Sequence, residues 1–180
     1  NSLPIVTNTM KLGSYEVKNV TFRPIVQDGL ELNVGDKNIL IGEFDLITEG
    51  DRDHLFKSVT FRNNGGSNME YTFANIGLYN DGVNVASEVI INGREITFIV
   101  NHEIENGRTE NYEIRADVVS TDREGDDFQL ELRNETDLNV VELRNGFSAP
   151  IVLQGWREMS KYLIKGGELL LTRDTRYTNT

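Results

Sequence analysis

The sequence predicts an all-β fold, an antiparallel sandwich of short strands with an extended C-terminal arm. Composition is the first reason. The 180 residues hold 29 Val and Ile, 14 Thr and 19 Asn but only four Ala. β-Branched side chains suit a pleated surface, whereas helices favour Ala. Turn chemistry is the second reason. Asn-Gly stands at Asn64-Gly65, Asn92-Gly93, Asn106-Gly107 and Asn145-Gly146, and Asp-Gly at Asp28-Gly29 and Asp81-Gly82. Such pairs accept the positive φ that tight hairpins demand. The third reason lies between the turns: short segments in which apolar and polar residues alternate, so that one face is buried and the other wet.

Taken in chain order, a first strand is expected within 14–26. Leu40, Phe44 and Leu46 share a face, with Gly42 between them. In 54–62, Leu55, Val59 and Phe61 share another, and Lys57 breaks the pattern. Strands are expected near 74–79 and 83–91. Ile96, Phe98 and Val100 line one face of 94–100. Tyr112, Ile114 and Ala116 alternate with Glu113, Arg115 and Asp117, and Phe128, Leu130 and Leu132 alternate with Gln129, Glu131 and Arg133. A further strand is expected near 138–143. Strands at such short, regular intervals point to a sandwich or barrel. Residues 156–164 read two ways. Trp156, Met159 and Leu163 fit a helical turn, while Lys161-Tyr162-Leu163-Ile164 alternates like a strand.

Within 54–133 a longer pattern stands out. It runs Phe56-Lys57-Ser58-Val59-Thr60-Phe61-Arg62-Asn63, then Ala74-Asn75-Ile76-Gly77-Leu78-Tyr79-Asn80-Asp81-Gly82, then Ile96-Thr97-Phe98. Tyr112-Glu113-Ile114-Arg115-Ala116-Asp117-Val118 and Gly125-Asp126-Asp127-Phe128-Gln129-Leu130 follow. This resembles the immunoglobulin-like β-sandwich repeats of large exported bacterial surface proteins, including surface-layer-like proteins. The resemblance covers about half the chain. It implies an antiparallel immunoglobulin-like β-sandwich with a scaffold role at the cell surface, and it carries no active-site residues across.

Residues 1–147 suffice for one sandwich of the usual size, with 1–12 as a candidate N-terminal arm. Residues 148–180 then form a C-terminal extension. Lys11-Leu12-Gly13-Ser14-Tyr15-Glu16-Val17 and Lys165-Gly166-Gly167-Glu168-Leu169-Leu170-Leu171 share a spacing, Lys-x-Gly followed by alternating apolar positions. If the second copy opens a domain, it must pair with another chain. Residues 163–173 are therefore a candidate donor strand, against the alternative of a last strand that folds back on its own sheet. The terminal segments 3–10 and 163–173 supply the candidate assembly residues Ile5, Val6, Leu163, Leu169, Leu170 and Leu171. On this reading, deleting 163–180 leaves a folded monomer.

Charge and residue types narrow the chemistry. With 29 Asp and Glu against 18 Lys and Arg the formal charge is -11, which repels phosphate and excludes a nucleic-acid partner. No cysteine is present, so neither a disulfide framework nor Cys-ligated zinc is available. Apolar runs reach only the length of Ile39-Leu40-Ile41, so no membrane insertion is expected. His54 and His102 have no second histidine at ligand spacing and read as surface residues. No nucleophile elbow occurs, and the chain is not expected to be an enzyme. No cofactor is expected, with calcium as the one candidate. The acidic loops Glu49–Asp53 and Asp122–Asp127 could supply oxygen ligands, and Asp122, Glu124, Asp126 and Asp127 are the preferred set. Asn19 and Asn134 head glycosylation sequons. Trp156 could stack on a sugar, though a lone Trp more often packs.

The expected function is a structural subunit or module of an extracellular cell-surface assembly, a surface layer or pilus-like filament. Its partners are other copies of itself, with cell-wall or glycan contacts as a further option. The alternative is an adhesin or carbohydrate-binding module of a larger surface protein.

Overall fold

Alternation becomes burial wherever a strand lies on the core. The computed structural model describes residues 16–121, 123 and 125–166. One sheet holds, in spatial order, β12 (Ile151–Leu153), β1 (Val20–Pro24), β3 (Ile39–Thr48), β9 (Thr109–Val118), β5 (Phe73–Asn80) and β6 (Val83–Asn84). The other holds β2 (Leu30–Asn33), β13 (Glu158–Lys165), β10 (Asp127–Glu131), β4 (His54–Asn63), β8 (Glu95–Ile104) and β7 (Ala86–Asn92), with β11 (Leu138–Glu142) also paired to β4. A four-residue helix, α1 (Met69–Thr72), and a 3-10 turn at Glu135–Asp137 are the helical elements among the described residues. The chain is a β-sandwich, as its turns and periodicity predict.

Most expected faces hold. Ile96, Phe98 and Val100 are buried, as are Tyr112, Ile114 and Ala116, and Phe128, Leu130 and Leu132. Two faces differ, and a register shift explains each. Pairing of β3 with β9 slips between Leu40 and Gly42, so Ile41 enters the core while Leu40 stays half-exposed. Pairing of β4 slips on both flanks at Lys57, so His54 and Phe56 turn inward and Leu55 does not. A bulge adds one residue and flips every side chain beyond it. Lys57, which breaks the sequence pattern, marks that slip.

Aromatic rings join the two sheets. Phe44 of β3 lies 5.2 Å from Phe22 of β1, 5.3 Å from Phe61 of β4 and 5.3 Å from Tyr112 of β9, the last stacked at 17°. Phe56 meets Tyr112 edge-on at 5.2 Å. Phe44, Phe22, Phe61, Phe56 and Tyr112 are all fully buried, within the range where aromatic pairs gain beyond area burial.

The C-terminal stretch is woven into both sheets. β12 runs parallel to β1, with Val20 opposite Ile151. β13 runs parallel to β2, with Tyr162 opposite Leu30, and antiparallel to β10. Met159, Tyr162 and Ile164 are buried. Residues 151–165, expected as an extension beyond a sandwich complete at 147, thus supply two of its strands. Of the donor segment 163–173, residues 163–165 pair within their own chain, and 156–164 resolves as strand. The Asp81-Gly82 pair behaves as its sequence predicts: both residues have positive φ, 48° and 76°, and they link β5 to β6 with Asn80 opposite Val83, the geometry of a type I′ hairpin.

Truncating Phe44 removes the ring that three others touch. Phe44→Ala is expected to cost about 3–5 kcal/mol, read from the urea midpoint. Trp156→Ala, at a position 77% exposed, is expected to shift stability by no more than about 0.5 kcal/mol.

Candidate functional site

The acidic loop before β10 acts first as a fastener. The Asp127 carboxylate takes the backbone N–H of Gly66 on Oδ1 at 2.6 Å and the Lys161 ammonium on Oδ2 at 2.6 Å. Lys161 and the Gly66 N–H together hold the Asp127 carboxyl below its ordinary value. Gly65 is needed here, because a Cβ on it would meet the Asp127 carbonyl oxygen at 2.3 Å. The backbone of Asp126 pairs with Ile164. Asp122 and Glu124 lie outside the described residues. Among the described residues, no three His, Asp or Glu side chains stand close enough to hold a metal ion.

Leu163 sits on the outer face of β13, 42% exposed. Ile5, Val6, Leu169, Leu170 and Leu171 lie outside the described residues. Asn19 and Asn134 are both exposed, and the Asn134 amide donates to the Asp137 carboxylate at 3.2 Å.

The sheet edges differ in length. β12, β6 and β2 contribute three, two and four residues, while β7 contributes seven. β7 pairs with β8 on one side, and no second strand is hydrogen-bonded to it among the described residues, although β5 of the other sheet lies close by. Val89 and Ile91 pack against the core, and Ile90 is 45% exposed. The chain runs from β6 into β7 through Val85, so exposed Val83 extends the same border. Elsewhere, Trp156 and Val26 stand exposed beside Gln129, Glu158 and Met159 in a shallow depression.

Neither histidine is a surface residue. His102 is partly buried, and its Nδ1 lies 2.8 Å from the hydroxyl of Tyr112. That contact gives the fully buried Tyr112 a polar partner, and burial raises the phenol's pKa. His54 is only 2% exposed. It opens β4 opposite Glu142 of β11 and Ile104 of β8. Its two ring nitrogens have no hydrogen-bond partner of good geometry among the described residues. Glu142 is equally buried, and its Oε1 accepts from Arg52 Nη1 at 2.9 Å and Asn145 Nδ2 at 3.3 Å. His54 and Glu142 line a cavity of about 190 Å³ together with Glu16, Lys18, Glu49, Asp51 and Arg52. The sequence reading of His54 as a surface residue is therefore corrected, and Glu142 carried no signal of its own. The usable signal was the pair His54-x-Phe56, which shares the inward face once the slip at Lys57 is recognised.

No protein-family model matches this chain. No curated protein sequence matches it either. Among solved structures it is similar to the seventh ScaB type I cohesin from Pseudobacteroides cellulosolvens, at 11% identity and TM-score 0.43, over 89% of this chain and 99% of that one. It is similar to a non-cellulosomal cohesin from the archaeon Archaeoglobus fulgidus, at 10% identity and TM-score 0.39, over 83% and 92%. The bacterial hydrophobin BslA is similar at 11% identity and TM-score 0.34, over 86% and 100%. Likeness of this depth carries no functional argument. Among the described residues, no helix is long and apolar enough to cross a membrane.

Burial lowers the His54 pKa from 6.5, outweighing the opposing pull of the Arg52 backbone and the Asp53 charge. The unfolded chain therefore takes up more protons than the folded one as pH falls below that value. This histidine subtracts stability from there down to its folded pKa. The urea midpoint is expected to drop between about pH 7.5 and about pH 5.5, and His54→Leu should flatten that slope. An unchanged slope would assign the acid sensitivity to other groups.

Proposed function

We propose that this chain is a structural module of an extracellular cell-surface assembly, joined to other copies of itself by strand pairing at the free edge of β7. The observation that carries this reading is the edge itself. Natural sheets blunt their edges by shortening or charging them, because an open row of backbone groups invites another strand. Among the described residues, the edge strands β12, β6 and β2 have two to four residues and β11 five, while β7 keeps seven and the run Val89-Ile90-Ile91. An incoming extended segment would gain backbone bonds along the row and side-chain contacts at alternate positions.

The donor in this reading is the apolar segment Leu169–Leu171 of a neighbouring copy. The donor begins three residues beyond Gly166, a span of about 10 Å when extended, so the two copies must lie close together at this edge. The sequence pattern of 54–133 supports placement at the cell surface, and a charge of -11 keeps exposed β surfaces apart until a specific contact forms. The alternative, a carbohydrate-binding module, draws on Trp156, which is 77% exposed. It has less to build on, because Tyr112 is fully buried and Tyr79 partly so, and the exposed rings of Tyr71 and Phe147 do not line the depression that holds Trp156.

Light scattering with native mass spectrometry tests the strand-pairing reading. The full chain is expected to form species larger than a monomer. Ile90→Lys, which charges the edge, and a chain ending at Gly166 are each expected to be monomeric with unchanged circular dichroism. A full chain that stays monomeric at every concentration, or association that neither change disturbs, would sink the proposal.

A further inference from the structure

The cavity floored by His54 and Glu142 lies apart from the β7 edge and has no role in strand pairing. We infer that it is a socket for a basic side chain, the guanidinium or ammonium of an Arg or Lys presented by a partner protein. Charge argues for a cation. Glu16, Glu49, Asp51 and Glu142 contribute four negative charges and Lys18 and Arg52 two positive ones, a net of -2 with His54 neutral. Lys18 registers that field: hydrogen bonding and charge from Glu16, with the charges of Asp51 and Glu49, raise its pKa.

The floor argues for a ligand with hydrogen-bonding capacity. A neutral imidazole has one donor and one acceptor nitrogen, and buried polar groups without partners are rare in folded proteins. His54 is buried and lines a cavity whose other lining residues are all ionic. The Arg52 backbone carbonyl is within reach of its ring, but neither ring nitrogen has a partner of good geometry among the described residues, so at least one is left for a ligand. A cationic group with several N–H donors can give one to the imidazole acceptor and others to the carboxylates at the mouth. Its charge would offset theirs. The space suits it. A cavity of about 190 Å³ holds roughly six waters or one side-chain terminus. An anion would meet the excess of carboxylates. The absence of a preformed three-ligand cluster among the described residues leaves a metal without a cage.

The chain has only two histidines, so ring-labelled full-length protein gives two sets of imidazole signals. N-acetyl-arginine methylamide and N-acetyl-lysine methylamide serve as probes, with the citrulline analogue as the neutral control. The His54 signals are expected to move saturably with the cationic probes and not with citrulline, while the His102 signals stay still. Neutralising the exposed mouth with Glu49→Gln and Asp51→Asn together should weaken binding about threefold to tenfold and leave the melting temperature in place. His54 signals that do not move, or that move equally with citrulline, would show a water-filled cavity and overturn the inference. So would a His54 shift on deletion of 167–180 without any probe, which would make the chain's own tail the occupant.

Discussion

The contact on which most of this sandwich depends is Phe44 against its three aromatic neighbours. Phe22 and Tyr112 flank it within its own sheet, and Phe61 reaches it from the opposite one. Two amphipathic sheets have no reason to hold a particular orientation unless large side chains interdigitate between them. Phe44 fixes that orientation at the middle of β3. Tyr112 then meets Phe56 and draws in His102 through its hydroxyl. Core geometry thereby settles the polar detail of β8.

A second constraint closes the structure at its flanks. β1 and β2, from the N-terminal part, each run parallel to a strand from the C-terminal part. Parallel neighbours cannot be made by hairpins and need long connections, so these two ladders form only after nearly the whole chain has been placed. The cost is loop closure, and the gain is that both sheets depend on both ends of the sequence.

Strands were legible in the sequence where pairing is regular. Alternation located 94–100, 112–117 and 128–132 with their correct faces, because nothing interrupts the ladder there. It misassigned Leu40 and Leu55, because the slips at Ile41 and Lys57 reverse the parity and only the partner strands reveal them. The role of 151–165 was hidden for another reason. A residue count suggested a core complete by 147, and no local signal announces that β12 and β13 pair with strands more than a hundred residues away. The candidate socket was the least legible part. His54 and Glu142 stand on separate strands, and each alone looks like an ordinary polar residue.

The parallel pairing of β2 with β13 bears on how this fold would respond to a pulling force. Tension entering near β1 and leaving past Lys165 would run along the strands, not across them. Four register pairs, Tyr162 with Leu30 through Lys165 with Asn33, would then be sheared together and not peeled open one at a time. Resistance to pulling is set by the barrier to that concerted rupture and not by equilibrium stability. A fold of modest thermodynamic stability can in this geometry still rupture slowly under load.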